Sequence, residues 1–188
     1  MLQILIKTDK VVPTDVVSSV YDISYKKLYD SGITQILIDL DNTLITYQEH
    51  TANDAVKSLF QELISIGFSL CIVSNSGTHR VMPVASVLNV PYVAYAKKPF
   101  KTGLKKALQM LDAKPETSIM IGDQLMTDVF AARRLGMSVI LVKPLKRKTE
   151  KWYTKLNRKI ENIMLNKMAK SHPDTHQKII EMARDNHV

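Results

Sequence analysis

Between residues 35 and 142 the chain repeats one pattern: a short apolar run, a polar corner, then a segment of helical period. Five runs read as strands: 35–40, 69–73, 92–94, 118–121 and 138–142. Between them, Val56, Leu59, Phe60, Leu63 and Ile64 share one helical face. So do Val81, Val84, Ala85 and Leu88, and then Leu104, Ala107, Leu108 and Leu111. A further helix is expected over 127–135, stopped by Gly136 just past its end. Strands that are apolar throughout need cover on both faces, and strands alternating with helices pair in parallel through right-handed crossovers. The expected fold is therefore α/β, a three-layer Rossmann-like arrangement around a central parallel sheet. Ahead of it, residues 16–28 read as a helical segment.

Ligands of such sheets bind beyond the carboxyl ends of the strands, so the residues after each apolar run carry the chemistry. These are Asp39-Leu40-Asp41-Asn42-Thr43, Ser74-Asn75-Ser76, Tyr95-Ala96-Lys97-Lys98-Pro99 and Gly122-Asp123, with Asp128 five residues on. Taken singly, each is ordinary turn or cap chemistry. Together, Asp39, Asp41, Asp123 and Asp128 place four carboxylates on one rim, where they repel one another without a cation. An oxygen-only ligand set of this kind suits Mg²⁺, and no Cys/His spacing of a zinc site is present.

The net charge of +8 is concentrated in one place. Residues 143–170 hold ten Lys and Arg against Glu150 and Glu161, which leaves the rest of the chain formally neutral. Such a stretch suits contact with something anionic. Cys71, the single cysteine, lies inside an apolar run and reads as a buried thiol. His172 and His176 read as part of a polar tail. No apolar run is long enough to span a bilayer, and residues 1–7 lack the core of a signal peptide. The expected location is the cytoplasm, with a peripheral place at the inner face of the membrane as an extension.

The order Asp-X-Asp-X-Thr, Ser, Lys-Pro and Gly-Asp-X4-Asp resembles the four motifs of haloacid dehalogenase (HAD) superfamily phosphatases. The strings Asp39–Leu44, Ala96–Pro99, Gly122–Val129 and Thr154–Glu161 are similar to the YqeG-type subfamily, and the similarity runs from about Pro13 to Met164. That subfamily is related to the phosphatases of phosphatidylglycerophosphate. The resemblance implies an Mg²⁺-dependent phosphomonoesterase with an aspartyl-phosphate intermediate. Asp39 would be the nucleophile, Asp41 the general acid and base, Ser74 a donor to the transferring phosphoryl group and Lys98 a charge partner. Asp39, Asp123 and the backbone carbonyl of Asp41 would hold the metal, with Asp128 behind them. Thr43 and Asn75 would join Lys98 around the substrate. Ser76 departs from the subfamily, which commonly has Asn there, as does the string Ala131-Ala132-Arg133-Arg134, where the subfamily usually has Gly or Asn.

Only 30 residues separate Thr43 from Ser74 and 23 separate Ser74 from Lys98, one helix and its connections in each case. No cap domain fits, and an open site favours a phosphate carried on something large. Residues 1–150 are expected to form the capless phosphatase domain and 151–170 a basic amphipathic helix. Residues 171–188 are expected to be a polar tail, helical or disordered. In the helix, Trp152, Leu156, Ile160, Ile163, Met164 and Met168 form an apolar stripe flanked by Lys151, Lys155, Arg158 and Lys159. The stripe either docks on an anionic membrane or packs on the core. The leading expectation is a phosphatase of a large or membrane-presented substrate such as phosphatidylglycerophosphate. The rivals are a HAD phosphatase of a nucleotide or phosphoprotein, and a nucleic-acid- or ribosome-associated binding protein that works through its basic tail.

Overall fold

In the computed structural model, residues 8–146 and 152–184 are described, with the backbone alone for Thr8, 152–160 and Arg184. Among these residues six strands form one sheet: β1 (Asp15–Val17), β2 (Gln35–Ile38), β3 (Ser69–Val73), β4 (Tyr92–Val93), β5 (Ser118–Gly122) and β6 (Ser138–Val142). Their spatial order is β1-β6-β5-β2-β3-β4, and every pairing is parallel. The helices are α1 (Tyr25–Asp30), α2 (Asp54–Ile66), α3 (Thr78–Leu88), α4 (Thr102–Met110), α5 (Phe130–Leu135), α6 (Trp152–Ser171) and α7 (Pro173–Arg184).

Alternate strand residues separate into two cores, one on each face. Ile36, Ile38, Leu70, Ile72, Ile119 and Ile121 join Val56, Phe60 and Leu63 of α2 and Val81, Val84 and Ala85 of α3. Leu37, Cys71, Val73, Met120, Val139 and Leu141 join Leu104 and Ala107 of α4 and Ala131 and Ala132 of α5. The expected helix faces are buried, except that Ile64 is 51% exposed at the edge of its face and Leu111 is half-buried. Local chemistry sets the helix ends. The Asn53 side chain accepts from Val56 N at 3.0 Å to start α2, and Gly67, in the left-handed region at φ 113°, ends it.

The N-terminal expectation is corrected. Residues 16–28 are not one helix but an edge strand, a short turn of 3₁₀ helix at Val20–Asp22, and the six-residue α1. Val16 and Val17 are β-branched, and β6 offers them a free edge; Asp15 pairs with Ile140 and Val17 with Val142. Tertiary pairing thus overrides the helical spacing. The helix expected over 127–135 also starts differently: Leu125–Val129 winds as a π-helical turn before α5 begins.

The spans from Thr43 to Ser74 and from Ser74 to Lys98 are fully described, and neither contains a cap; each holds one helix, one strand and their loops. At the C-terminus, Met164 and Met168 of α6 are 2% and 0% exposed and belong to the second core, as do Ile179 and Met182 of α7. The lower half of the stripe therefore packs on the protein, and the expected polar tail is helical over 173–184. Trp152, Lys155, Leu156, Arg158, Lys159 and Ile160 lie outside the described side chains, and Lys151 outside the described residues. No described helix is long and apolar enough to cross a membrane.

Candidate active site

The sheet order reverses at β2, with β3 and β4 on one side and β5, β6 and β1 on the other, and the site lies at that switch point. The β2–β5 ladder runs one residue past β2, since Asp39 N donates to Ile121 O at 2.9 Å. This holds Asp39 beside the Gly122-Asp123 corner. One strand over, Ser74 N donates to Val93 O at 3.0 Å, and Ser76 N donates to Ser74 Oγ at 3.0 Å.

Lys98 reaches the site from the loop after β4. That loop is tied to the β3 corner by Tyr95 N donating to Ser76 O and Ala96 N donating to Ser74 O, both at 2.9 Å. The Asn75 amide fastens it again: Lys98 N donates to Asn75 Oδ1 at 2.7 Å, and Asn75 Nδ2 donates to Lys98 O at 2.9 Å. Gly103 of α4 has to lack a side chain, because a Cβ there would stand 2.5 Å from Ala96 O. So guided, the Lys98 ammonium is 2% exposed and lies 2.6 Å from Asp39 Oδ1, 2.7 Å from Asp128 Oδ1 and 2.8 Å from Val73 O. Asp39 Oδ1 and Val73 O accept its hydrogen bonds, and Asp128 Oδ1 stands at ion-pair distance.

Asp128 reaches the same point from the π-helical turn, where its Oδ2 accepts from Gln124 N at 3.1 Å. Gly122 makes room for it; a Cβ there would fall 2.4 Å from the Asp128 carboxylate. The turn is braced from outside by α6, whose Glu161 carboxylate accepts from Met126 N at 3.2 Å.

Asp39, Asp123 and Asp128 each offer an oxygen such that all three lie within 4.8 Å of one another. Asp39 is raised to about 7, by burial first; Lys98 pulls against that rise, and Asp128 and Asp41 add to it. Asp123 is raised well above the carboxylate range by burial first and then by Asp39 and Asp128. Burial also disfavours the charged form of Lys98, but Asp128 and Asp39 outweigh it and the ammonium is held more firmly than usual. One cation thus offsets three acids. Asp123 Oδ1 is buried without a hydrogen-bond partner. An orphaned carboxylate oxygen in an all-oxygen cluster fits a hard divalent cation.

Asp41 has a separate environment. Its Oδ2 accepts from Ser76 Oγ at 2.6 Å and lies 3.5 Å from Ser74 Oγ, while Arg80 holds Oδ1. Asp39, Asp41, Ser74, Asn75 and Lys98 line one cavity of about 780 Å³, with Arg80, His50, His79, Tyr47 and Tyr95 on its outer wall. Thr43 is buried and is not part of that lining. Arg80 escaped the sequence reading. The available signal was an arginine in the first turn of the helix that follows the Ser74-Asn75-Ser76 corner, four residues past Ser76. Cys71 lies fully buried in β3, and burial pushes its thiol up to about 12.

Residues 95–162 match the family described as HAD-hydrolase-like. The probable phosphatase YqeG of Bacillus subtilis (strain 168) is 31% identical over 159 residues, which cover 85% of this chain and 92% of that protein. An uncharacterized protein from Listeria monocytogenes serotype 4b superposes with a TM-score of 0.50 at 18% identity, over 69% of this chain and 98% of that one. A haloacid dehalogenase-like family hydrolase from Streptococcus pneumoniae gives a TM-score of 0.50 at 16% identity, over 63% and 89% of the two chains. These two structures share the fold.

Proposed function

We propose, from the premise that this chain belongs to the HAD-like hydrolases as a member of the YqeG phosphatase family, that it transfers the phosphoryl group of its substrate to Asp39. It is a hydrolase of phosphate monoesters; the route and the substrate are the proposal. The observation that carries the route is the Asp39 carboxylate, which opens on the cavity at the end of the central strand with one oxygen fixed by Lys98 at 2.6 Å.

In the first step an Asp39 oxygen bonds to phosphorus as the bond to the leaving oxygen breaks, and that oxygen takes a proton from Asp41. In the second, a water gives its proton to Asp41 and attacks phosphorus, which frees phosphate and restores Asp39. Ser74 stands at the same rim to donate to a phosphoryl oxygen. Mg²⁺ would be held by Asp39, Asp123 and the backbone carbonyl of Asp41, with Asp128 in the same cluster. When bound, it supplies positive charge that offsets the phosphoryl oxygens and favours ionised Asp39.

For the substrate we take a large or membrane-presented phosphate ester, of the phosphatidylglycerophosphate kind. The capless cavity supports this. So does the loop that brings in Lys98, whose Tyr95 and Phe100 are 62% and 65% exposed beside Lys97 and Lys101. The test is kcat/KM on phosphatidylglycerophosphate in mixed micelles beside glycerol 3-phosphate and nucleoside monophosphates, using wild type and Asp39→Asn. The lipid should be preferred, and Asp39→Asn should lose turnover on every ester by about four decades or more. A nucleotide turned over faster than the lipid refutes the substrate; an Asp39→Asn variant with several per cent of activity refutes the route.

A further inference from the structure

Asp41 is held by an arginine that no part of the proposed reaction uses. Arg80 enters from the first turn of α3, and its guanidinium is 11% exposed. Nε and Nη2 both lie 2.9 Å from Asp41 Oδ1. Nη2 also donates to Thr46 O at 2.7 Å, and Nη1 donates to Glu49 O. The fork therefore joins three points: the carboxylate after β2, two carbonyls of the turn at 46–49, and its own helix. That turn is closed independently, because Glu49 Oε2 accepts from Thr46 N at 2.7 Å and Thr46 Oγ1 at 2.8 Å. Arg80 is thus not needed to form the turn but uses it as an anchor.

The two oxygens of Asp41 are consequently unequal. Oδ1 faces a guanidinium, which donates only and stays charged. Oδ2 faces Ser76 and Ser74, whose hydroxyls rotate and either donate or accept. A proton on Oδ2 is accommodated by turning one hydroxyl, whereas a proton on Oδ1 meets only other donors. We propose that Arg80 is a positioning residue: it grips Oδ1 and so presents Oδ2, on the serine side of the cavity, as the oxygen that exchanges a proton with the leaving group. This rests on the acid–base reading of Asp41 given above and adds the device that aims it. Arg80 touches no substrate in this scheme, since nearly all its donors already have partners. Lysine is not an equivalent replacement, because its ammonium is a compact point charge without the guanidinium's forked spread of donors.

Leaving-group dependence separates aiming from mere support. 4-Nitrophenolate departs without a proton, whereas the alkoxide of glycerol 3-phosphate needs one. The ratio of kcat/KM for 4-nitrophenyl phosphate over glycerol 3-phosphate is measured for wild type, Arg80→Ala, Arg80→Lys and Asp41→Asn, with and without added guanidinium chloride at low concentration. Asp41→Asn and Arg80→Ala should both raise the ratio, on the order of 10²-fold for the former and at least about tenfold for the latter. Arg80→Lys should also raise it, which keeps the test open if Arg80→Ala does not fold. Guanidinium should return the Arg80→Ala ratio toward wild type and leave that of Asp41→Asn unchanged. If Asp41→Asn raises the ratio while the soluble Arg80 variants lose both substrates in proportion, the positioning role is overturned and the reading of Asp41 stands. If Asp41→Asn leaves the ratio unchanged, the acid–base reading fails and the positioning role fails with it.

Discussion

Replacing Lys98 by Met removes the cation that pairs with buried Asp39 and Asp128. The stem keeps roughly its volume, so the change is electrostatic. What is lost is an ammonium, 2% exposed, that meets Asp39 at 2.6 Å, Asp128 at 2.7 Å and Val73 O at 2.8 Å. What remains is three carboxylates with oxygens within 4.8 Å of one another. Removing one partner of a buried charge pair costs about 3–5 kcal/mol, which lowers Tm by roughly 6–20 °C for a chain of this length. The loss depends on pH with a definite sign. Asp39 is already raised from 3.8 to about 7, so its contribution to stability is present at low pH and lost as pH rises through 7. Without Lys98 the folded-state value moves higher still, and the penalty is larger at about pH 8 than at about pH 5.5. Thermal unfolding followed by circular dichroism in excess chelator reads this directly. The double variant Lys98→Met/Asp128→Asn, one carboxylate fewer, should be less destabilised than Lys98→Met alone. A Tm loss below about 3 °C for Lys98→Met at pH 8, or a larger loss at the acid end, would refute the claim that Lys98 holds the cluster together.

Two further outcomes follow from the geometry. Activity should require Mg²⁺ and be inhibited by Ca²⁺, whose larger, more flexible shell lets the Asp39 carboxylate bind with both oxygens and turn from phosphorus; full turnover in chelator is the contrary result. Met168→Ala should cost about 2–5 kcal/mol in urea unfolding, because Met168 is fully buried beneath the sheet, whereas a membrane-facing residue would cost almost nothing.

The sheet was legible because each central strand is apolar on both faces, a composition that leaves few alternatives. The site was legible because four corners carry acids, a serine and a lysine at matching strand ends. Arg80 was not, since its partners lie 39 residues back at Asp41 and 34 back at Thr46, and no local pattern marks a residue by its distant neighbours. β1 escaped for a related reason: three residues carry too little periodicity, and only the edge of β6 selects an extended form. The π-helical turn at 125–129, which carries Asp128 to Lys98, is marked by no helical spacing.

The pairing of β1 with β6 also has a consequence for how the chain is made. Thr14 N donates to Val139 O and Val139 N donates to Thr14 Oγ1, so the two ends of this contact are 125 residues apart. Among the described strands, the first to be synthesised waits for the last. β2 and β3, about 30 residues apart, are free to pair first, and β5 can add to them once Gly122 has emerged. Synthesis, at about 5–20 residues per second, thus leaves the β1 segment unpaired for several seconds while the centre of the sheet assembles. Its two valines sit between exposed neighbours, Asp15 and Ser18, which keep a waiting edge from seeking a partner on another chain.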